Sequence, residues 1–175
     1  MELKAFLLRP DIQPGGAAPH RRQPTEQPGE LLTGHIGDQA REAHRIMKRT
    51  PKTSYTIPAL EATEYAKEVG RVDPFHNNLF KAYWEDGLDI ELPEVLRKLG
   101  EESGIEWNGL EKALQDRRFQ IPVEQSMEEA VQMGINAIPA FVMGNRGFMG
   151  AQPYEIFTRL LDLTVQEQGL KIEDK

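Results

Sequence analysis

No cysteine occurs among the 175 residues. That absence removes disulfides, thiolate nucleophiles, zinc–thiolate sites and thiol redox chemistry from the residues given. Long apolar runs are missing too: no window approaches the roughly 18–20 consecutive apolar residues of a membrane span. Positive charge is in deficit, with 21 Lys and Arg against 28 Asp and Glu and a net charge of −7. Such a balance argues against a nucleic-acid or anionic-membrane partner. Residues 1–10 are too short and wrongly flanked for a secretory signal peptide, so the expected compartment is the cytoplasm. The four histidines, His20, His35, His44 and His76, lack the i, i+4 spacing of a helical metal pair, and the expectation is no metal and no cofactor.

What is present suits one globular domain with a modest core, at 39% hydrophobic residues. Residues 2–8 alternate well enough for a short strand. Residues 10–30 hold five of the twelve prolines and read as an extended loop. A weak helix is expected over 37–49, with Ala40, Ala43, Ile46 and Met47 as its apolar stripe. Beyond it Pro58, Pro74, Pro93 and Pro122 each sit where a first-turn proline would, since the missing N–H costs nothing there. Ala59, Ala62, Ala66 and Val69 form one helical face. Phe75, Leu79, Phe80 and Tyr83 form another, opened by Asp73 as a cap. Asn108 is expected to cap a short helix bearing Leu110, Ala113 and Leu114, and no internal repeat is found.

The stretch richest in information is residues 134–154. Pro139 lies at the mouth of an apolar run, Ala140, Phe141, Val142 and Met143, where a ladder donor would normally be wanted. Proline lacks that donor and is confined to strand starts, edges and bulges; it is also the residue for which a cis bond is cheap. A strand opening on such a bond would present the backbone of Ile138 to an extended ligand. Gly144, Asn145, Arg146 and Gly147 then read as a hairpin turn, and a helix follows from Pro153. Two late strands need a sheet partner, and 2–8 is the remaining candidate. The layout is a small α/β domain with a large helical insertion.

Several segments carry a resemblance. They are Phe6-Leu-Leu-Arg-Pro-Asp11, the run 59–70 (Ala-Leu-Glu-Ala-Thr-Glu-Tyr-Ala-Lys-Glu-Val-Gly), 75–87 (Phe-His-Asn-Asn-Leu-Phe-Lys-Ala-Tyr-Trp-Glu-Asp-Gly), 135–142, and Gly150-Ala-Gln-Pro153. In order and spacing the chain resembles the DsbA-like thioredoxin superfamily, nearest to its FrnE-type branch. The resemblance implies an incomplete thioredoxin-like fold: a single DsbA-like domain over 1–175, with strand and loop in 1–36, a mainly helical insertion in 37–133, and cis-proline strand, hairpin and terminal helix in 134–168. It implies a thiol–disulfide oxidoreductase family whose Cys-x-x-Cys follows a first strand. Residues 2–8 resemble that family's second strand, so strand, motif and first helix would fall upstream of Met1. Two explanations stay open: genuine absence, or a start codon placed too late. Without the first strand, apolar edges face a gap, and buried unpaired backbone groups cost roughly 1–3 kcal/mol each.

No catalytic residue is therefore expected, and Ile138, Pro139 and Ala140 are the expected substrate-binding residues, as the resemblance implies. Arg146 and Gln152 flank the same end of the hairpin and are expected in turn and cap roles. Phe75, Phe80, Tyr83 and Trp84 could line a cleft beside Pro139, although core roles fit their spacing better. The expected function is a disulfide-oxidoreductase relative without thiol activity. Alternatives are a non-catalytic module that holds an extended peptide or protein, and a relative of the glutathione-dependent hydroxychromene-carboxylate isomerases, whose serine would also lie upstream. A homodimer through unpaired strand edges is a further expectation.

Overall fold

In the computed structural model, which describes residues 2–19 and 27–169, proline marks one helix start after another. The elements run α1 (Gly34–Glu42), α2 (Ile57–Glu68), α3 (Val72–Trp84), α4 (Pro93–Glu102), α5 (Trp107–Gln115), α6 (Gln120–Gln132), β1 (Ala140–Met143), β2 (Arg146–Met149) and α7 (Tyr154–Gln168). Pro58, Pro74, Pro93 and Pro122 all fall within the first three residues of a helix, where no intrahelical N–H bond is lost. Two caps differ from expectation. α3 begins at Val72 on Arg71, leaving Asp73 in the first turn, and α5 begins at Trp107 on Glu106, one residue ahead of Asn108. By contact the chain forms two compact units, Met1–Ser126 and Met127–Lys175, divided inside α6.

The first unit is a helical cluster. α2 packs on α3 and α5, and α4 on the same two helices. Small residues make this possible: Ala59, Ala62 and Ala66 are buried along α2 and let Phe75, Leu96 and Leu110 come close. Gly109 on α5 is needed for the same reason, since a Cβ there would stand 2.2 Å from Tyr65 Oη. The loop of 10–30, where described, is held by isolated bridges joining Ala17 to Thr53 and Leu31 to Lys48.

Two expectations are corrected here. Residues 2–8 form no strand ladder among the described residues, although Ala5 is buried and Leu3 is less exposed than Glu2 and Lys4. Alternation sets faces; a strand also needs a partner, which is a non-local condition. The helix expected over 37–49 ends at Glu42, because His44 takes a left-handed conformation (φ 53°). The His44 N–H then donates to the Arg41 carbonyl and the Arg45 N–H to that of Ala40, closing the last turn as glycine usually does.

The second unit is a hairpin against a helix. β1 and β2 are antiparallel, with Met143 opposite Arg146 and Ala140 opposite Met149. The two-residue loop between them opens on Gly144 at φ 62°, a value that glycine adopts without cost. Phe141, Phe148 and Phe157 of α7 meet with ring centres 4.7–5.2 Å apart. The Thr164 hydroxyl on α7 lies 2.9 Å from the Leu160 carbonyl of its own helix and 3.3 Å from the Met143 carbonyl at the strand end, so its one proton is shared between the two.

Candidate functional site

The outer edge of β1 is the candidate site. The Ile138–Pro139 bond is cis, and the Gly150 N–H donates to the Pro139 carbonyl at 2.7 Å. Hydrogen-bonded and non-bonded pairs alternate along an antiparallel ladder. That bond fixes the phase: residues 139, 141 and 143 face β2, while the N–H and C=O groups of Ala140 and Val142 point away from it. Among the described residues the sheet has these two strands alone, so the outward groups lie on an open edge.

Side chains around the edge are apolar and accessible. Ile138 and Val142 are each 48% exposed, and Pro139 is exposed. The face opposite the phenylalanines carries Ala140, Val142, Gly147 and the exposed Met149. Gly147 is required there, since a Cβ would fall 2.8 Å from the Phe141 carbonyl oxygen. Nearby polar groups are already engaged. The Arg146 guanidinium pairs with Glu167, which holds the arginine above and the glutamate below their ordinary pKa ranges. Gln152 Nε2 donates to the Met149 carbonyl at 3.1 Å, a turn contact. No ionisable side chain occurs in 138–143, so this edge can hold a chain but has no acid, base or nucleophile.

The other residues singled out have structural places. Phe75 is fully buried and Tyr83 packs against the helical core. Phe80 is exposed and stacks on His76 at 4.6 Å. Burial pushes the His76 imidazole below its ordinary pKa; Asp73 opposes the shift and Lys67 adds to it. His44 is the left-handed residue after α1. His20 lies outside the described residues. Among those residues no group of three His, Asp or Glu could hold a metal ion, and no helix is long and apolar enough to cross a membrane.

One feature escapes sequence reading. Glu61, on the alanine face of α2, is 1% exposed and accepts a 2.8 Å bond from Arg117 Nε. Burial pushes its carboxyl above the usual range, and Arg117 only partly offsets that. Arg117 follows α5 in a left-handed conformation (φ 51°), with Arg117 and Arg118 N–H groups bonded to Leu114 and Ala113 carbonyls. The signal available was a lone Glu among small apolar residues; its counter-ion lies on another element.

Comparison with known proteins places these features. Residues 1–162 match the family described as the DSBA-like thioredoxin domain. The uncharacterized protein YwbO of Bacillus subtilis is 28% identical over 108 residues, which are 61% of this chain and 54% of that protein. A crystal structure described as a probable DsbA oxidoreductase from Streptomyces coelicolor superposes with a TM-score of 0.67 at 25% identity, covering 80% of this chain and 60% of that one. A crystal structure from Nitrosomonas europaea gives a TM-score of 0.57 at 23% identity over 64% and 58% of the two chains, a likeness of fold alone. The chain thus spans about half the length of the curated relative and about three fifths of either structure. Its seven described helices and two-stranded sheet make an incomplete thioredoxin-like fold.

Proposed function

Because this chain belongs to the family of DSBA-like thioredoxin domains, we propose that it supplies the polypeptide-holding side of such a domain and no sulfur chemistry of its own. The observation that carries the proposal is the open edge of β1, with the backbone groups of Ala140 and Val142 turned outward beside accessible Ile138. An extended polypeptide would add to this edge as a strand. Main-chain bonds would supply affinity and the apolar side chains would supply grip. Ile138, Pro139 and Ala140 are the proposed contact residues. The proposal treats residues 1–175 as one DsbA-like domain with an insertion over 37–133. It sets the chain in the FrnE-type branch on residues 147–152.

Two measurements test this. Incubated with a glutathione redox couple and a dithiol substrate, the chain should give background turnover; a rate above background refutes the absence of sulfur chemistry. A fluorescent, unfolded apolar peptide should show a saturable rise in anisotropy, and Val142→Pro should weaken it about tenfold by removing one edge donor. Proline is tolerated at an outward edge position, so the hairpin should persist by circular dichroism. A flat response, or unchanged binding by the proline variant, sinks the edge as the site. Dimerisation that competes with peptide would assign the edge to a second copy of the chain instead.

A further inference from the structure

We propose, on the reading of the β1 edge as a polypeptide-holding site, that Met149 beside it is an oxidation site through which peroxide-type oxidants loosen that hold. With no cysteine in the sequence, thioether is the sulfur that the chain offers to an oxidant, and it has six methionines. Among the described residues Met133 and Met149 are exposed, whereas Met47, Met127 and Met143 are half-buried. Oxidation follows access, so an oxidant reaches the first two soonest. The strand register separates them: Met133 follows the last residue of α6 and is no part of the ladder, while Met149 ends β2.

Met149 stands directly opposite Ala140, one of the proposed contact residues. The Gly150–Pro139 bond makes 139 and 150 a hydrogen-bonded pair. Residues 140 and 149 are therefore a non-bonded pair, the kind whose side chains come closest, with Cβ atoms roughly 4.5–5.5 Å apart. Both lie on the face away from the phenylalanines, with Val142 diagonal to Met149 and Gly147 two residues back on the same strand. Ala140 has a single methyl and Gly147 no side chain, so the long thioether supplies much of the apolar surface of that face. A strand added at the edge places every second side chain over this face, next to Ala140 and toward the thioether beyond it.

The step needs a two-electron oxygen donor, of which hydrogen peroxide is the simplest. The thioether sulfur attacks one peroxide oxygen: an S–O bond forms, the O–O bond breaks, and the departing hydroxide takes the proton of the transferred oxygen and leaves as water. Sulfur loses two electrons and the peroxide gains them. A neutral sulfoxide with a strong acceptor oxygen then stands in place of an apolar, adaptable side chain. The side chains beside it, those of Ala140 and Val142, offer no donor. A polypeptide that covers the oxygen strips its water without replacing it. Reduction by a methionine sulfoxide reductase with a dithiol returns the thioether and releases water and disulfide. The change is stoichiometric and contributes nothing to turnover with a glutathione couple.

In the test the whole chain is treated with hydrogen peroxide, catalase removes the excess, and an apolar peptide without methionine or cysteine is titrated by anisotropy. Trypsin releases residues 147–159, in which Met149 is the one methionine, so its gain of oxygen is read by mass spectrometry. Complete oxidation there should weaken binding about fivefold, and the reductase should restore it. Met149→Leu should abolish the effect of peroxide, holding affinity within about 1.5-fold, while Met133→Leu keeps the effect. Met149→Gln, polar and of similar length, should bind about fivefold more weakly than the parent with no oxidant present. No binding by the untreated chain overturns the reading of the edge itself, and the regulation with it. Three results overturn the regulation alone: binding that survives oxidation at Met149, an equal loss in Met149→Leu, or residues 147–159 left unoxidised while Met133 reacts.

Discussion

The two compact units solve burial differently. Every buried hydrophobic residue among those described, from Ala5 to Val123, lies within Met1–Ser126. In Met127–Lys175 the one buried residue among those described is polar, Thr164, while Val131, Met133, Val142, Met149 and Tyr154 are exposed. The helical unit makes its own core by setting alanine faces against large side chains. The hairpin unit leans on three phenylalanine rings and the Arg146–Glu167 ion pair. A two-stranded sheet is marginal in water unless something packs on it. Here α7 covers one face, while Val142 and Met149 on the other face are exposed. The difference teaches that the buried core and the accessible apolar strand edge reside in separate parts of this chain.

The largest expected effect probes that difference directly. Phe75→Ala opens a cavity in the helical core and should cost about 3–5 kcal/mol, read from urea unfolding by circular dichroism. Phe157→Ala removes a half-buried ring and two edge-to-face contacts from the hairpin unit, and should cost about 1–2 kcal/mol. Its local effect should appear as faster amide exchange at 140–149. Equal losses at the two sites would mean that the hairpin unit has a core of its own, and the contrast would fail.

Arg117 sharpens the view of the helical unit. Its guanidinium answers a buried carboxylate, yet its backbone sits where glycine is favoured. Arg117→Ala loses the counter-ion and keeps the left-handed residue, so stability should fall by about 1–3 kcal/mol. Arg117→Gly loses the same charge and relieves the backbone, and should be about 1 kcal/mol more stable than the alanine variant. Thermal midpoints of the two, measured side by side, isolate the backbone contribution. Identical midpoints would show that the conformation imposes no burden.

What could be read from the sequence follows the range of the forces involved. First-turn prolines are local signals, and α2, α3, α4 and α6 stand close to where they fall, whereas the turn read over 144–147 is tighter than expected because Arg146 and Gly147 already belong to β2. The end of α1 was hidden because histidine, not glycine, takes the left-handed position at His44. The ladder expected for 2–8 depended on a partner strand that no local pattern can supply. At the candidate edge, Ile138, Pro139 and Ala140 could be named from the chain. The outward direction of the Ala140 and Val142 backbone groups follows only from the Pro139–Gly150 bond. Glu61 was invisible because a glutamate is buried only when its counter-ion is near, and Arg117 comes from another element.

The smallest expected effect is in the helical unit and has a definite sign. Burial lowers the folded-state pKa of His76 below its unfolded value, with Lys67 acting in the same sense and Asp73 against it. The unfolded chain therefore takes up the proton first as pH falls. Stability contributed by neutral His76 is complete above its ordinary pKa and is lost as pH drops from there to the depressed folded value. Glu61 acts oppositely: its raised folded pKa means that stability is regained as pH falls from that value toward the ordinary carboxylate range. His76→Phe keeps an aromatic ring beside Phe80 but removes the imidazole titration, whereas Glu61 is common to parent and variant. The difference between their thermal midpoints should thus widen in favour of the variant between about pH 7 and about pH 5. A difference that stays constant across that range would show that His76 is as free to protonate in the folded chain as in the unfolded one.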